Sequence, residues 1–395
     1  MGIVFLVALC VLSAGFAKTM AMCVNWLCAQ RLAKRYVFAD KSINLILIIT
    51  YPVLLFCGVS SQIRAGHLWL AIHPALWLPI GLGIVGLFLL IAAAIQYWRY
   101  RPPDCELFVT SELVDLRTSP GWRQQLLGSR CSSHLAALPG NEQFTIDVST
   151  KTYRLAGLPQ CWEGLAIVHL SDFHFCGGIS RAYFEAVCDQ AAALQPDLFV
   201  FSGDLLDDQE LLSWLPATLG RLKAPLGQYF VLGNHDWYLN PAETRKEFVR
   251  LGWTDVAAQP VTLTRPNQPS NPPLVLCGDE TPWMGTHADL RNVPADALRI
   301  LISHTPDNIG WAREHGIHLM LAGHTHGGQI RLPILGPVYS PSRFGCRYAS
   351  GVFWLEPTLM YVSRGVSGKE PLRYNCSPEV TKLILTMTGS VEFEA

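Results

Sequence analysis

The chain has 395 residues, too many for one small domain, with a formal net charge of −1 and a mean hydropathy of +0.24. Only 15% of the residues are charged, below the roughly 25% of ordinary soluble domains. This balance excludes the global basic field of a nucleic-acid-binding protein, so we expect no nucleic-acid partner. The 12 cysteines form no C-x-x-C pair, which favours reduced thiols and a cytosolic location.

Three N-terminal stretches are apolar enough to cross a bilayer, which takes about 20 residues per helix. They cover roughly residues 3–27, 43–63 and 68–98. Lys18 and Asn25 interrupt the first stretch, and its start lacks the positive charge of a secretory signal. Buried soluble helices are the alternative, but the third stretch is apolar without a break over 81–91. We therefore predict a transmembrane region of about three helices over 1–101.

Basic residues near the ends of the three stretches predict an orientation. The loop after the first stretch carries four of them: Arg31, Lys34, Arg35 and Lys41. Arg64 stands alone in the next loop, and Arg99 and Arg101 follow the third stretch. Because basic loops stay in the cytoplasm, the N-terminus is predicted outside and the remaining chain inside. This orientation depends on counting three spans in a bacterial inner (cytoplasmic) membrane.

The region 102–162 mixes turn residues with short apolar stretches, and we predict a linker followed by edge strands. From residue 165 onward, apolar runs of strand type end in polar residues. The runs cover 165–170, 197–201, 228–232, 298–302 and 318–322. The polar residues after them include Asp172, His174, Asp204, Asn234, His235, Asp236, His304, His324 and His326. Helical stretches between the first runs predict an α/β fold with parallel strands, whose carboxyl ends gather in one crevice.

Each motif alone is weak, because an aspartate or glycine after a strand is more often part of a turn or a helix cap. Five such motifs at equivalent strand ends favour a shared site. Carboxylate, imidazole and amide ligands suit manganese, iron or zinc, whereas a closed structural zinc site would use thiolates. Two cations about 3.5–4 Å apart with a bridging hydroxide can displace an oxygen at phosphorus. We predict two divalent metal ions, with manganese as the first choice.

The motif series resembles the calcineurin-like metallophosphoesterases. Asp-x-His, Gly-Asp-x-x-Asp (203–207), Gly-Asn-His-Asp, a strand-end histidine and Gly-His-x-His occur in order from about residue 165 to the C-terminus. The stretches 323–333 and 362–365 resemble the bacterial membrane-associated branch, which includes UDP-2,3-diacylglucosamine pyrophosphohydrolases of lipid A synthesis. The resemblance implies a β-sandwich flanked by helices, in αββα layers, over 163–395. Three spans exceed the single anchor or export signal expected of that branch.

The resemblance also implies roles for individual residues. Asp172, His174 and His326 would hold one cation. Asn234, His304 and His324 would hold the other, with Asp204 bridging the two. His235 would stabilise or protonate the leaving oxygen, and Asp236 would orient its ring.

Further residues near these motifs have an ordinary structural role beside a functional alternative. We predict that Asp207 and Asp208 cap the following helix, that Cys176 is incidental and that His169 is a core histidine. Packing or solvation is the ordinary role of a loop Trp or Arg, and substrate contact is the alternative for four such residues and one histidine: Trp237, Trp283, Arg331, Arg373 and His287. The stretch 266–273 is predicted to be an exposed loop.

These patterns predict a membrane-anchored two-metal phosphoesterase or pyrophosphatase. Its substrate would be an amphipathic phosphate-containing small molecule or lipid, with UDP-2,3-diacylglucosamine as the first candidate. A phosphodiesterase of nucleotide or phospholipid diesters is the alternative. A non-catalytic binding module on the same fold would lack ligands, and every candidate ligand is present. A transporter is disfavoured because the spans hold few ionisable residues. The sequence implies no protein partner.

Overall fold

The computed structural model describes residues 2–64, 74–265 and 271–387. Parts of the predicted loop 266–273 and of the predicted third span, 68–98, lie outside these ranges. The described α-helices are α1 (Gly2–Cys28), α2 (Lys34–Arg64), α3 (Trp77–Arg99), α4 (Trp122–Leu126), α5 (Ser133–Ala136), α6 (Arg181–Ala193), α7 (Asn234–Trp237), α8 (Pro241–Arg250) and α9 (Ile309–Glu314). Short 3-10 helices cover Pro74–Leu76, Gln160–Trp162, Gln209–Ala217, Leu219–Arg221, Pro306–Asn308 and His326–Gly328.

The described strands form two large sheets and one small ribbon. They are β1 (Glu106–Asp115), β2 (Thr145–Arg154), β3 (Ala166–Leu170), β4 (Leu198–Phe201), β5 (Gln228–Phe230), β6 (Thr254–Asp255), β7 (Val261–Leu263), β8 (Leu274–Asp279), β9 (Leu298–Ser303), β10 (Leu319–Ala322), β11 (Arg331–Leu332), β12 (Gly336–Pro337), β13 (Gly351–Leu355), β14 (Thr358–Val362) and β15 (Glu379–Thr386). The chain divides into a helical unit, Met1–Tyr100 with Arg331–Arg347, and a sheet unit, Arg101–Ile330 with Tyr348–Ala395.

The helical unit contains three helices long and apolar enough to cross a membrane, among the residues described. These candidate spans are Ile3–Cys28, Lys34–Ser61 and Pro74–Arg99. The prediction of about three spans agrees with them. The loop predicted between the first two spans, residues 28–42, is too long, because the second helix begins earlier. Lys34, Arg35 and Lys41 lie inside α2, which begins at Lys34, because helix formation does not require apolar residues.

Close backbone contact joins α1 and α3. A Cβ atom on Gly86 would lie 1.7 Å from the carbonyl oxygen of Gly15, and one on Gly15 would lie 2.0 Å from that of Gly83. Thr19 Oγ1 donates a hydrogen bond to the Leu82 carbonyl at 3.0 Å. Small residues therefore allow these two helices to approach each other, as in other membrane helix pairs.

The sheet unit is a two-sheet sandwich with helices outside. In the described residues, one sheet has the order β1-β2-β15-β3-β4-β5-β6 and the other β13-β14-β10-β9-β8-β7. Both contain a parallel core, β3-β4-β5-β6 in the first and β8-β9-β10-β14 in the second. The region 102–162 supplies β1 and β2, which pair antiparallel at one edge.

Alternating side chains build the layers of the sandwich. Ile167 and Val200 of the first sheet pack with Ile300 and Leu321 of the second in the shared core. On the outer face of the first sheet, aromatic residues of the strands pack against those of α6 and α8, including Phe184 and Phe248. Residues of α9 cover the outer face of the second sheet. The αββα arrangement implied by the resemblance is confirmed.

Candidate metal centre

The candidate ligands come from five strand ends on the two sheets. Asp172, Asp204 and Asn234 follow β3, β4 and β5, while His304 and His324 follow β9 and β10. All five strands are parallel to their neighbours in these cores, so their carboxyl ends share one edge of the sandwich. The predicted crevice therefore forms between two sheets rather than along one.

The Asp204 carboxylate lies between two groups of possible ligands. Its Oδ2 is 3.5 Å from His174 Nε2, and its Oδ1 is 3.4 Å from His304 Nε2. The side chain is 1% exposed. Each oxygen of one carboxylate thus faces a different imidazole, which is the geometry that a bridging ligand requires.

The first group consists of Asp172, His174, Asp204 and His326, whose ligand atoms lie within 4.8 Å of one another. Asp172 Oδ1 is 3.8 Å from His174 Nε2 and 3.5 Å from His326 Nε2. The two Nε2 atoms are 3.1 Å apart. In the sequence His326 follows His174 by 152 positions, and the fold brings their donor atoms together.

The second group consists of Asp204, His304 and His324, again within 4.8 Å. His304 Nε2 lies 3.1 Å from His324 Nδ1 and 3.0 Å from Asn234 Oδ1. Asn234 therefore joins this group through its amide oxygen. The seven predicted metal ligands are all present in the two groups.

In three of the candidate histidine ligands, the Nδ1 atom points away from the other ligands and makes a hydrogen bond. That bond orients the ring so that Nε2 faces the other ligands. His174 Nδ1 contacts Asp207 Oδ2 at 3.0 Å. The Nδ1 atoms of His304 and His326 lie 2.8 and 2.9 Å from the carbonyl oxygens of Ser202 and Ser367. Because a carbonyl only accepts, Nδ1 carries a proton in the last two rings, and in their neutral forms Nε2 is left with a lone pair.

These donors fit divalent cations. In His174 and His326, two Nε2 atoms 3.1 Å apart would both present lone pairs in the neutral rings, which repel unless a proton or cation lies between them. His324 Nε2 is buried and has no hydrogen-bond partner among the described residues. The oxygen and nitrogen donors, without a thiolate, match the preferences of manganese, iron and zinc.

The charge of the carboxylates favours positive charge at this edge. Burial opposes protonation of His304, yet the charge and hydrogen bond of Asp204 outweigh it and raise the pKa of His304 to about 9. Burial dominates at His326 and lowers its pKa to about 4. Burial also opposes ionisation of Asp204, but the surrounding histidines hold its pKa well below the usual value. The site therefore stabilises cations next to Asp204.

The backbone at the site is strained. Five candidate ligands have positive φ angles between 49° and 70°: Asp172, His174, Asp204, His324 and His326. Such angles are uncommon for residues other than glycine and cluster at functional sites. At Gly233 a Cβ atom would lie 2.1 Å from Asp204 Oδ1, so only glycine permits this approach.

His235 differs from the other histidines because its side chain keeps 28% of its surface exposed. Its Nδ1 lies 2.6 Å from Asp207 Oδ1. Asp207 thus contacts both His235 and His174, and the prediction that it caps a helix is wrong. Asp208 is the residue that caps the 3-10 helix Gln209–Ala217, by accepting from the Glu210 N–H at 3.0 Å.

The predicted role of Asp236 needs correction. Its carboxylate accepts hydrogen bonds from the backbone N–H groups of Leu205, Leu206 and Gly233 at 2.9–3.2 Å. Its side chain is fully buried, and these bonds join the loop after β4 to the loop after β5. Asp207, not Asp236, contacts the His235 ring. Asp236 instead holds the loops that carry Asp204 and Asn234.

The structure also places the other Trp, His and Arg residues that the sequence singled out. Arg373 is fully buried and donates to the Ser367 carbonyl at 2.6 Å, which is the packing role expected of it rather than the alternative of substrate contact. Trp283 is 1% exposed, with its ring 4.9 Å from that of His324. His287 contacts Asp279 Oδ2 at 2.7 Å. His169 is buried and contacts Ser202 Oγ at 2.8 Å, as predicted for a core histidine.

Sequence reasoning missed the supporting residues. Asp207 was visible in the Gly-Asp-x-x-Asp motif, but its position before a helix favoured capping. The carbonyls of Ser202 and Ser367 carry no sequence signal, because any residue supplies a carbonyl. Only the fold identifies them.

Comparisons with known proteins match the part of the chain that carries the seven candidate ligands. The family model described as calcineurin-like phosphoesterase matches residues 165–328. A protein of Escherichia coli named phosphodiesterase YaeI is 30% identical over 241 residues, 59% of this chain and 86% of that protein. A Chlamydia muridarum protein named UDP-2,3-diacylglucosamine pyrophosphatase LpxG is 27% identical over 277 residues, 55% of this chain and 82% of that protein.

The name of a vertebrate relative combines a transmembrane protein with a metallophosphoesterase domain. The Danio rerio protein named transmembrane protein with metallophosphoesterase domain is 30% identical over 244 residues. The match covers 58% of this chain and 54% of that protein. Together with the three apolar helices, this similarity supports membrane association.

Proposed function

This chain belongs to the calcineurin-like phosphoesterase family, and from that premise we propose that it cleaves a phosphoric ester or pyrophosphate at a membrane surface with two divalent cations. It is a metal-dependent hydrolase of such bonds. The observation that carries the two-cation proposal is the Asp204 carboxylate, whose two oxygens face two separate groups of imidazoles at 3.5 and 3.4 Å.

The ligands divide between the two proposed cations. The first would be held by Asp172, His174 and His326, and the second by Asn234, His304 and His324, with Asp204 shared. When bound, such cations lower the pKa of a coordinated water and withdraw charge from phosphoryl oxygens. Manganese is our first choice, with iron or zinc as alternatives, because the donors are oxygen and nitrogen atoms.

His235 is the proposed proton donor to the leaving oxygen. Asp207 contacts its Nδ1 at 2.6 Å, which places a ring proton there and leaves Nε2 to exchange a proton with substrate. Among the five site histidines, its side chain is the most exposed, at 28%. Asp207 acts as a positioning residue, since its contact with Nδ1 orients the ring.

The location of the enzyme is part of the proposal. Membrane association follows from the three apolar helices and the relatives. We propose that all three helices span a bacterial inner membrane and that the sheet unit faces the cytoplasm. Support comes from the basic residues Arg31, Lys34 and Arg35 between the first two spans and from Arg99 and Arg101 after the third.

UDP-2,3-diacylglucosamine is the proposed substrate. An acylated sugar nucleotide is amphipathic and resides at the bilayer surface, where a membrane-anchored hydrolase would meet it. The relatives named UDP-2,3-diacylglucosamine pyrophosphatase support this choice. The relative named phosphodiesterase favours the second candidate, a nucleotide or phospholipid diester.

Product analysis separates the two candidates. The full-length chain, purified in detergent and loaded with manganese, is incubated with UDP-2,3-diacylglucosamine, a phospholipid or a small nucleotide diester. The proposal predicts UMP and the acylated sugar 1-phosphate by mass spectrometry, and their loss in the matched variant His235→Ala. Cleavage of diesters alone, with the sugar nucleotide intact, would reject the lipid A assignment.

A further inference from the structure

The segment Arg331–Arg347, here called the arm, belongs to the helical unit although it follows the metal-site motif. Only four residues, 327–330, separate its start from His326. Its two short strands, β11 and β12, pair with each other. The remaining arm is irregular, so its fixed position depends on contacts with the helices.

Two polar side chains of α1 hold the arm. Lys18 Nζ donates to the Val338 carbonyl at 3.4 Å, and Asn25 Oδ1 accepts from the Ser340 N–H at 3.2 Å. Lys18 and Asn25 are 4% and 1% exposed. Buried polar groups in a span-length helix require partners, and the arm supplies one hydrogen bond to each of these two side chains. The two residues that weakened the first predicted span therefore have a structural explanation.

The other contacts place the arm at one end of the helical unit. Trp98, near the end of α3, donates its Nε1–H to the Ile334 carbonyl at 2.7 Å. Tyr339 contacts Cys28, the last residue of α1, with its hydroxyl 3.6 Å from Sγ. Lys41 Nζ, near the start of α2, lies 5.9 Å from the Tyr339 ring centroid. The arm thus lies where α1 and α3 end and α2 begins.

This end of the unit corresponds to the boundary of a bilayer. At 1.5 Å per residue, the 27 residues of α1 extend about 40 Å, longer than the roughly 30 Å hydrocarbon core. The helix ends therefore reach the headgroup region. An irregular backbone is compatible with that region, because headgroups and water satisfy its polar groups, whereas the hydrocarbon core would not.

The arm also exposes large apolar side chains. Leu332, Ile334 and Phe344 are 41%, 70% and 38% exposed. The Arg343 guanidinium lies over the Phe344 ring, 5.3 Å from its centroid. Apolar side chains next to arginine are typical of elements that lie in a membrane interface, with apolar groups in the acyl layer and cationic groups among phosphates.

We propose that the arm is an interfacial membrane-docking element and that its partner is the phospholipid of the bilayer around α1–α3. Ile334 inserts at the boundary between acyl chains and headgroups, continuous with the lipid-facing surface of the helices. Asn25, three residues before the end of α1, fixes the arm near that depth, and Lys18 holds Val338 from deeper along the same helix. The proposal rests on membrane insertion of the helices, and it is independent of the substrate.

Photocrosslinking tests the depth of the arm. The full-length chain carries p-benzoylphenylalanine in place of Ile334 and is placed in nanodiscs of phosphatidylethanolamine and phosphatidylglycerol. After irradiation, mass spectrometry detects phospholipid adducts. A positive control replaces Ile49, which is 62% exposed in α2, and a negative control replaces Val249, 56% exposed in α8 of the sheet unit.

The expected result is a phospholipid adduct at position 334 comparable to that at position 49 and absent at position 249. A second variant, Lys18→Met, should reduce the adduct at 334 and leave that at 49 unchanged, because it removes the hydrogen bond to Val338. An adduct at 49 without one at 334 would overturn the proposal. Adducts absent from both positions would also overturn it, by removing the membrane insertion on which it rests.

Discussion

The Nδ1 atom of His235 and the Oδ1 atom of Asp207 lie 2.6 Å apart. The other oxygen of the same carboxylate contacts His174 Nδ1 at 3.0 Å. One carboxylate therefore supports both a proposed metal ligand and the proposed proton donor. Burial opposes its ionisation, but these two histidines hold the pKa of Asp207 well below the usual value for an aspartate.

This relationship predicts that Asp207→Asn lowers turnover by about 10–100-fold, the usual effect of removing a partner of a metal-bound histidine. The amide keeps the shape of the side chain but weakens the bond to His235. Turnover is measured at saturating manganese, which compensates for any weaker metal binding by His174. The remaining decrease in turnover then reports the weakened bond to His235. Asp208→Asn is the matched control, because Asp208 contacts Arg130 and the Glu210 N–H instead. Equal activity of both variants would contradict the assignment.

Asp236 should act through stability. Replacing it with asparagine leaves one acceptor oxygen for the three N–H groups of Leu205, Leu206 and Gly233. A buried donor left unsatisfied costs about 1–3 kcal/mol, so the thermal midpoint of Asp236→Asn should fall. Differential scanning fluorimetry in detergent measures it. An unchanged midpoint together with a lost pH dependence of turnover would instead support the role first predicted, orientation of His235.

The contact between α1 and α3 predicts a position-specific effect in the helical unit. Gly86→Leu would place side-chain atoms against the Gly15 carbonyl, and overpacking of this kind costs about 1–3 kcal/mol or more. Gly81→Leu is the matched control in the same helix, because a Cβ atom there meets no atom of the described residues within 4 Å. Size-exclusion profiles and thermal midpoints should change only for Gly86→Leu. Equal behaviour of both variants would show that this helix pair is not formed.

Glu280 predicts a pH dependence of stability. Burial raises the pKa of its carboxyl group to about 7, because Arg245, which also pairs with Asp255, compensates only in part. Its ordinary value is 4.5. Between these values the folded chain binds more protons than the unfolded chain, so protonation of Glu280 stabilises the folded state. This contribution is complete below pH 4.5 and is lost as the pH rises through about 7.

The variant Glu280→Gln isolates this contribution. In wild type, the Leu232 N–H donates a hydrogen bond to Glu280 Oε1 at 2.6 Å. The glutamine removes the titrating group and keeps an oxygen that can accept this bond. Its thermal midpoint relative to wild type should therefore increase between about pH 5 and pH 8. A difference that stays constant over this range would contradict the raised pKa.

The sequence predicted which candidate ligands lie together because their signal is local. Apolar runs ending in Asp172, Asn234 or His324 reveal strand ends, and parallel strands place those ends on one edge. The role of Asp207 could not be predicted in the same way. Asp236 is adjacent to His235 in sequence, but α7 directs its carboxylate toward the backbone of Leu205, whereas the loop after β4 brings Asp207 to the ring.

The arm shows the same limit at longer range. Lys18 and Val338 are 320 positions apart, and neither hydropathy nor periodicity relates them. From the sequence, residues 323–333 form one continuous motif. In the structure this motif is divided between the two units. Its residues up to Ile330 belong to the sheet unit, and those from Arg331 onward belong to the helical unit. Tertiary packing alone distinguishes the metal-site loop from the arm.

Two cations that share Asp204 are the central claim of this account, and a titration of activity against bound metal tests it most directly. Metal-free full-length chain receives increasing manganese. Bound ions per chain and hydrolysis of bis(p-nitrophenyl) phosphate are then measured on the same samples. We predict that hydrolysis rises as a second ion binds per chain, and that Asp204→Asn loses both the second ion and the activity. Full activity with one ion, or two ions bound to an inactive wild-type chain, would contradict it.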